Sequence, residues 1–297
     1  MYHWSQSFPR QRSCLRLGIS LALPLLLVLN LPGVLALDMS YTIDEEIVNG
    51  TVIGDIGRDS NVSRLLSQDD FRSLRYDILS YPDDDAALFA IDRVTGKFRT
   101  RARIDRELLC RYVVRCKLSL HVSARTASGQ QFYTFPITIL VEDINDNSPT
   151  FSSDSVSVTL DEDVAVLSSI PIPDAVDEDI KENALQRYTL AVPSDKFGLK
   201  VTRNLDDSLV PQLYVKSALN REDQPFYQLT VVALDGGTPQ LSGELQVNIT
   251  LRDVNDNPPR FLQSRYEVNV TETTPVNSRI LKLEAEDADL GINGRLR

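Results

Sequence analysis

The sequence predicts an all-β chain of tandem Greek-key sandwiches, each of about seven strands, set end to end as a linear rod. Three observations predict it. A set of short acidic motifs recurs with a period close to 110 residues. The stretches between the motifs alternate apolar and polar residues or run apolar, as strands do, and Gly, Pro and Asp clusters punctuate them. No long helical periodicity competes with this pattern; only the stretch 61–72 suits a short turn of helix.

The repeat rests on four motifs. Asp143-Ile144-Asn145-Asp146-Asn147 recurs as Asp253-Val254-Asn255-Asp256-Asn257, a shift of 110. Asp177, Asp179 and Asn183 recur as Asp287, Asp289 and Asn293, again a shift of 110. Asp105-Arg106-Glu107 reappears as Asn220-Arg221-Glu222, and Glu45, Glu162 and Glu272 each follow an alternating run. Strands are expected over 117–122, 137–141, 227–233 and 246–251, with turns at Thr95-Gly96, Gly129 and residues 235–239. The period divides the chain into residues 37–147, residues 148–257 and a third unit, 258–297, that stops after two or three strands. So short a piece cannot close a sandwich core, and poor packing is expected there.

Residues 1–36 read as a secretory signal peptide. Arg10, Arg12 and Arg16 precede an apolar run from Leu17 to Leu35, and Val34-Leu35-Ala36 offers small residues at the cleavage positions. The competing reading is an uncleaved anchor, because the run is nearly long enough to span a membrane. Pro24, Asn30, Pro32 and Gly33 interrupt it and favour cleavage. No second long apolar run follows, so membrane attachment is expected only through sequence beyond this chain. The product is therefore expected outside the cell: secreted if this chain is complete, or on the surface of a single-pass plasma-membrane protein if it continues.

Cleavage leaves 28 Lys and Arg against 42 Asp and Glu, a net charge of −14. That balance argues against nucleic acid or anionic lipid as partner and suits a cation binder or a solubilising surface. Two cysteines remain, Cys110 and Cys116. An even number in an oxidising compartment points to a bridge, with two unpaired thiols on one strand face as the alternative. In a straight strand their Cα atoms would lie about 20 Å apart, so a bridge requires residues 111–115 to bulge out. Sequons at Asn49, Asn61, Asn248 and Asn269 are candidate glycosylation sites.

The repeated motifs consist almost wholly of Asp, Glu and Asn, the oxygen donors that hard Ca²⁺ prefers. If consecutive domains pack end to end, eight carboxylates meet at the first junction: Glu45, Asp105, Glu107, Asp143, Asp146, Asp177, Asp179 and Asp235. Two such charges about 6 Å apart repel by roughly 3 kcal/mol at an effective dielectric near 20, so eight cannot stay close and ionised without cations. Three Ca²⁺ would offset six of the eight. A single Asp-rich turn would ordinarily be a solvated loop, but four motifs in one register make that reading poor. An EF-hand is excluded, because Ser148 replaces its required Gly, Asp154 its closing Glu, and strands flank the segment. Catalysis finds little support. The mature chain has one histidine, His121, placed in an alternating strand run, and no nucleophile-base pair or phosphate loop accompanies it.

Taken in order, these motifs resemble the cadherin extracellular repeat over essentially the whole mature chain. The resemblance implies three calcium ions at each complete junction. At the first, Glu45, Asp105, Glu107, Asp143, Asn145, Asp146, Asp177, Asp179 and Asp235 would bind through side chains, and Ile144, Asn147 and Asn183 through backbone oxygens. At the second, Glu162, Asn220, Glu222, Asp253, Val254, Asn255, Asp256, Asn257, Asp287, Asp289 and Asn293 correspond. Asn220 stands where the family has Asp, and the counterpart of Asp235 lies past Arg297, so weaker binding is expected there. Lys181 replaces the family's Gly.

The spacing of Cys110 and Cys116 is similar to a loop in the first repeat of protocadherins. Strand exchange anchored by a mature N-terminal tryptophan, as some cadherins use, is excluded because Trp4 leaves with the leader. The resemblance implies calcium-dependent adhesion, homophilic in trans with an identical protein on an apposed cell. The alternatives are a heterophilic receptor or mechanical tether and, less supported, a secreted enzyme with structural calcium.

Overall fold

A computed structural model describes residues 38–296 apart from Asp83 and Tyr112. The expected leader and cleavage site, with Trp4 and Cys14, lie outside these residues. Among the described residues no helix is long and apolar enough to cross a membrane.

The first sandwich is built from seven strands. Strands β1 (Met39–Asp44), β2 (Val52–Asp55), β3 (Arg75–Leu79), β4 (Phe89–Ile91), β5 (Lys97–Thr100), β6 (Cys116–Arg125) and β7 (Phe132–Glu142) form one sheet in the order β1-β7-β6-β3 and another in the order β2-β5-β4. β1 runs parallel to β7, with Asp44 opposite Glu142, while the remaining pairings are antiparallel. Alternation along β6 and β7 turns Leu118, Leu120, Phe135, Ile137 and Ile139 inward, where they meet Phe89 and Phe98 of the opposite sheet. Burial of a side chain of this size contributes roughly 1.5–3 kcal/mol. Pro136 is tolerated in this central strand because β1 begins pairing only at Ile137.

The second sandwich repeats the plan. Strands β8 (Thr150–Phe151), β9 (Ser155–Asp161), β10 (Ser169–Pro171), β11 (Ala175–Val176), β12 (Leu185–Leu190), β13 (Phe197–Arg203), β14 (Leu209–Val215), β15 (Phe226–Asp235) and β16 (Ser242–Arg252) give sheets ordered β12-β15-β16-β9 and β10-β14-β13, with a small β11-β8 ladder beside them. β9 runs parallel to β16, as β1 does to β7. Phe197, Leu213, Val215, Val231, Leu245 and Val247 form its core. The four strands expected from alternation all lie inside β6, β7, β15 and β16.

Residues 258–296 hold only one short ladder, β17 (Arg260–Phe261) with β18 (Ala285–Glu286). Val268, Val270, Ile280 and Leu283 remain exposed, in keeping with too few strands to enclose a core.

Short helices break the first repeat: α1 (Ile56–Asp59), α2 (Gln68–Ser73) and α3 (Arg106–Cys110), with 3-10 turns at Val62–Arg64 and Ala86–Leu88. The stretch 61–72 thus does contain helix. α1 and α3, at four and five residues, are too short to leave a periodic signal.

Candidate metal centre

The first cluster begins where β1 ends. Its parallel register with β7 carries the Glu45 amide to the Glu142 carbonyl (3.0 Å), which sets the Glu45 side chain beside the start of the following linker. That carboxylate is 2% exposed; it accepts from the Arg106 amide at 3.0 Å and the Ile144 amide at 2.9 Å. Asp105 and Glu107 are not on an open loop. Asp105 is the N-cap of α3, accepting from the Leu108 amide at 2.8 Å, and Glu107 sits in the first turn. Carboxylate oxygens of Glu45, Glu107 and Asp143 consequently lie within 4.8 Å of one another.

The second sandwich contributes the other wall. Asp143 accepts from Asn183 Nδ2 at 2.9 Å and from the Ile180 amide at 3.3 Å. Asp179 accepts from the Asn147 amide (3.2 Å) and Nδ2 (2.9 Å), and its own amide donates to Asp177 Oδ1 at 3.1 Å. Asn147 Nδ2 also reaches Asp146 Oδ1 at 2.8 Å. Asp235, fully buried, accepts from the amides of Gly237 and Leu241. The same loop meets Asn145, whose Nδ2 donates to the Pro239 carbonyl at 2.6 Å.

Five of these acids ionise reluctantly. Burial pushes Glu45 up to about 8, helped by its hydrogen bond with Glu107. Burial likewise raises Asp177 to about 7 and Asp179 to about 6, and the charges of neighbouring carboxylates add to the shift. Asp143 and Asp146 move upward for the same leading reason. Asp177 Oδ2 and Asn145 Oδ1 are buried without a hydrogen-bond partner among the described residues. An all-oxygen donor set, two orphaned buried oxygens and suppressed ionisation together fit a hard divalent cation. Bound there, it would neutralise the acids and tie the linker to both sandwiches.

Sequence reasoning missed one member of this cluster. Arg106, 1% exposed, lies among the acids, with Nη1 2.9 Å from Glu107 Oε1 and 3.1 Å from Asp143 Oδ1. Only its fixed place between Asp105 and Glu107 could have pointed to it.

The second cluster follows the first. Glu162 accepts from the amides of Arg221 (2.8 Å) and Val254 (2.9 Å), and Asp253 from the Leu290 amide and Asn293 Nδ2, both at 2.9 Å. Asp289 accepts from Asn257, and its amide donates to Asp287. Oxygens of Glu162, Glu222 and Asp256 converge, as do those of Glu222, Asp253 and Asp289. Asn220 turns its Nδ2 toward Asp223 at 3.1 Å and accepts the Glu222 amide on its oxygen. Among the described residues no hydrogen bond draws Asn255 into either group. Burial lifts Asp253, but hydrogen bonds from Asn293 and Leu290 and the Arg221 cation outweigh it and hold its carboxyl below the usual range. The corresponding Asp143 is raised, so the two clusters differ at this position, whereas burial raises Glu222 and Asp256 of the second as it does Asp146 of the first.

Cys110 and Cys116 are disulfide-bonded with Cα atoms 5.4 Å apart. The bridge is possible because Cys110 ends α3 instead of continuing a strand. Asn49, Asn61 and Asn269 are exposed, and Asn248 is half-buried on β16. His121 packs edge-on against Tyr81, ring centroids 5.3 Å apart, as a strand-face residue.

Comparison with known proteins agrees with this architecture. Residues 156–252 match the family model of the cadherin domain, and residues 38–125 a cadherin-like model. The structure of Protocadherin Gamma C5 EC1-3 superposes with a TM-score of 0.76 at 32% identity, over 86% of this chain and 79% of that one. The chain belongs to the cadherin superfamily. Mouse clustered PcdhgC3 EC1-3 gives a TM-score of 0.72 at 32% identity, covering 86% of this chain and 78% of that one. Protocadherin gamma-A10 from Pan troglodytes is 36% identical over 262 residues, 88% of this chain and 27% of the relative. Human Protocadherin-11 X-linked is 34% identical over 263 residues, 88% of this chain and 20% of the relative. The chain therefore spans about a fifth to a quarter of the length of these curated protocadherins. Calcium is typical of cadherin repeat junctions, and the first acidic cluster lies where the two sandwiches of this chain meet.

Proposed function

We propose that this chain is the membrane-distal part of a protocadherin that mediates calcium-dependent cell-cell adhesion, homophilic in trans. One observation carries the reading: acids of two successive sandwiches hold a single linker. Glu45 takes the Ile144 amide from one side, while Asp179 takes the Asn147 amide from the other, where Asn183 also holds Asp143. On this reading residues 37–147 and 148–257 are two complete cadherin repeats and 258–297 the start of a third.

Calcium, three ions per complete junction, would be held at the first by Glu45, Asp105, Glu107, Asp143, Asn145, Asp146, Asp177, Asp179 and Asp235 with backbone oxygens of Ile144, Asn147 and Asn183. The second set, from Glu162 to Asn293, would bind more weakly, since Asn220 removes one charge. The metal screens carboxylates that otherwise repel, so a hinge becomes a stiff connection. A rigid, glycosylated extracellular arm anchored by downstream sequence can then present its faces to an identical arm on another cell. Cadherin relatives are adhesion proteins, which favours this role over catalysis.

Beads coated with the full ectodomain test it. They are expected to clump in millimolar calcium, to disperse on chelation, and to sort away from beads bearing a different protocadherin. Clumping that ignores calcium, or none at all, would remove the proposal; mixed aggregates would favour a heterophilic tether.

A further inference from the structure

The guanidinium of Arg106 has a second attachment outside the acidic cluster. Its Nη2 donates to the Val113 carbonyl at 2.8 Å. Val113 lies between the bonded cysteines, and its own amide donates to the Cys110 carbonyl at 2.9 Å. One buried side chain thus joins the disulfide-closed segment to Glu107 and Asp143. Arg111 of the same segment also pairs across the seam with Glu178, at 2.5 Å. At the second junction the equivalent Arg221 is wired differently. It pairs with Glu222, its Nε stands 2.7 Å from Asp253, and its Nη2 donates to the Ala288 carbonyl, 2.9 Å away. Among the described residues no cysteine lies near it.

We infer that Arg106 is a positioning residue through which the Cys110–Cys116 bridge sets the calcium affinity of the first junction; the inference rests on reading that junction as a calcium site. With Nη2 held by the Val113 carbonyl, the fork offers only Nη1 to the carboxylates and fixes the direction of Glu107 and Asp143. Opening the bridge frees Val113 and removes that anchor. The released cation then turns further into the acids, where it competes with metal and leaves its two carboxylates unaimed. Both consequences weaken binding. Partners that orient metal ligands are commonly worth about 10–100-fold in affinity, and a loss of about tenfold is expected here. Because coupling is reciprocal, calcium must resist reduction of the bridge by the same factor.

The test uses the secreted chain, its Arg106→Lys variant, Cys110→Ser/Cys116→Ser, and the combination. The readout is the calcium concentration that half-protects the linker 143–148 from an Asp-directed protease, with the linker near 253–258 as internal control. Opening the bridge is expected to raise that concentration about tenfold at the first linker only. R106K should do the same, and the combination should be no worse than either, since both cut one connection. In a dithiol redox buffer, calcium should shift the bridge of the unaltered chain toward the oxidised form about tenfold and leave that of R106K unmoved. This arm needs no cysteine variant to fold. Multiplicative effects in the combination, or a bridge whose reduction ignores calcium in a chain that binds it, would overturn the inference alone. An unaltered chain that binds no calcium at its first linker would remove the metal reading as well.

Discussion

Lys181 takes the same left-handed backbone turn, φ +53°, that Gly291 takes at φ +61° one repeat later. Both lie in the loop that supplies Asp177 and Asp179, or Asp287 and Asp289. A side chain in this conformation costs about 1 kcal/mol that glycine avoids, offset in part by the greater freedom of glycine when unfolded. Lys181→Gly should therefore raise the stability of the second sandwich by about 0.5 kcal/mol, and Lys181→Ala, which loses the same charge but keeps the strain, should not. Thermal unfolding in chelator distinguishes them; equal midpoints for the two variants would count against strain. Gly50 (φ +88°), Leu167 (φ +74°) and Asn277 (φ +65°) form a parallel series five residues after Glu45, Glu162 and Glu272. Asn tolerates this region, so Leu167→Asn should stabilise by a similar amount.

Gly237 and Gly243 separate binding from folding. A Cβ on Gly237 would lie 2.2 Å from the side-chain amide carbon of Asn145, and one on Gly243 would lie 1.9 Å from the Pro149 carbonyl oxygen. The amide can rotate away, whereas the backbone carbonyl cannot. Gly243→Ala should cost about 1–3 kcal/mol of stability by overpacking. Gly237→Ala should cost less, yet weaken calcium binding by pushing Asn145 out of the cluster. Unfolding in chelator and a calorimetric calcium titration check the two halves; a Gly237→Ala chain with unchanged affinity would show that Asn145 is no ligand.

The acids of the junction were legible because their spacing repeats, and the inward faces of β6, β7, β15 and β16 because alternation marks them. Other features follow from pairing distant in sequence. The parallel run of β1 beside β7 depends on a register no local pattern encodes. Arg106 inside its triplet reads as a solvated cation until Glu45, Asp143 and Val113 close around it. Lys181 stands where the family has Gly, and no local pattern shows that the backbone there keeps the glycine conformation and carries the strain.

Asp146 tests the linker itself. Its Oδ1 takes a hydrogen from Asn147, and burial and the charges of Glu107 and Glu46 raise its carboxyl. Asp146→Ala removes one oxygen donor and should loosen the first junction without disturbing either core. In calcium the variant should be cut between 143 and 148 at nearly the rate of the unaltered chain in chelator. The unaltered chain should be protected by calcium, with half-protection near ~10⁻⁴–10⁻³ M, the range of extracellular calcium modules. Cleavage rates that calcium leaves equal in the unaltered chain would count against the site.

Proton release should accompany metal binding. Glu45 near 8, Asp177 near 7 and Asp179 near 6 all sit above their unfolded values of 4.5, 3.8 and 3.8. Between those limits the metal-free folded chain holds more protons than the unfolded one, so its stability falls as pH rises through the window. Calcium requires the ionised carboxylates and reverses that preference, so apparent affinity should climb from pH 5.5 to about 8 and then level off. Calcium titrations near pH 6.5, run in buffers of different ionisation heat, should register about one or more protons released per chain, dwindling to none near pH 9. A titration that binds calcium at pH 6.5 yet releases no proton would mean these acids are already charged, and that burial does not hold them back.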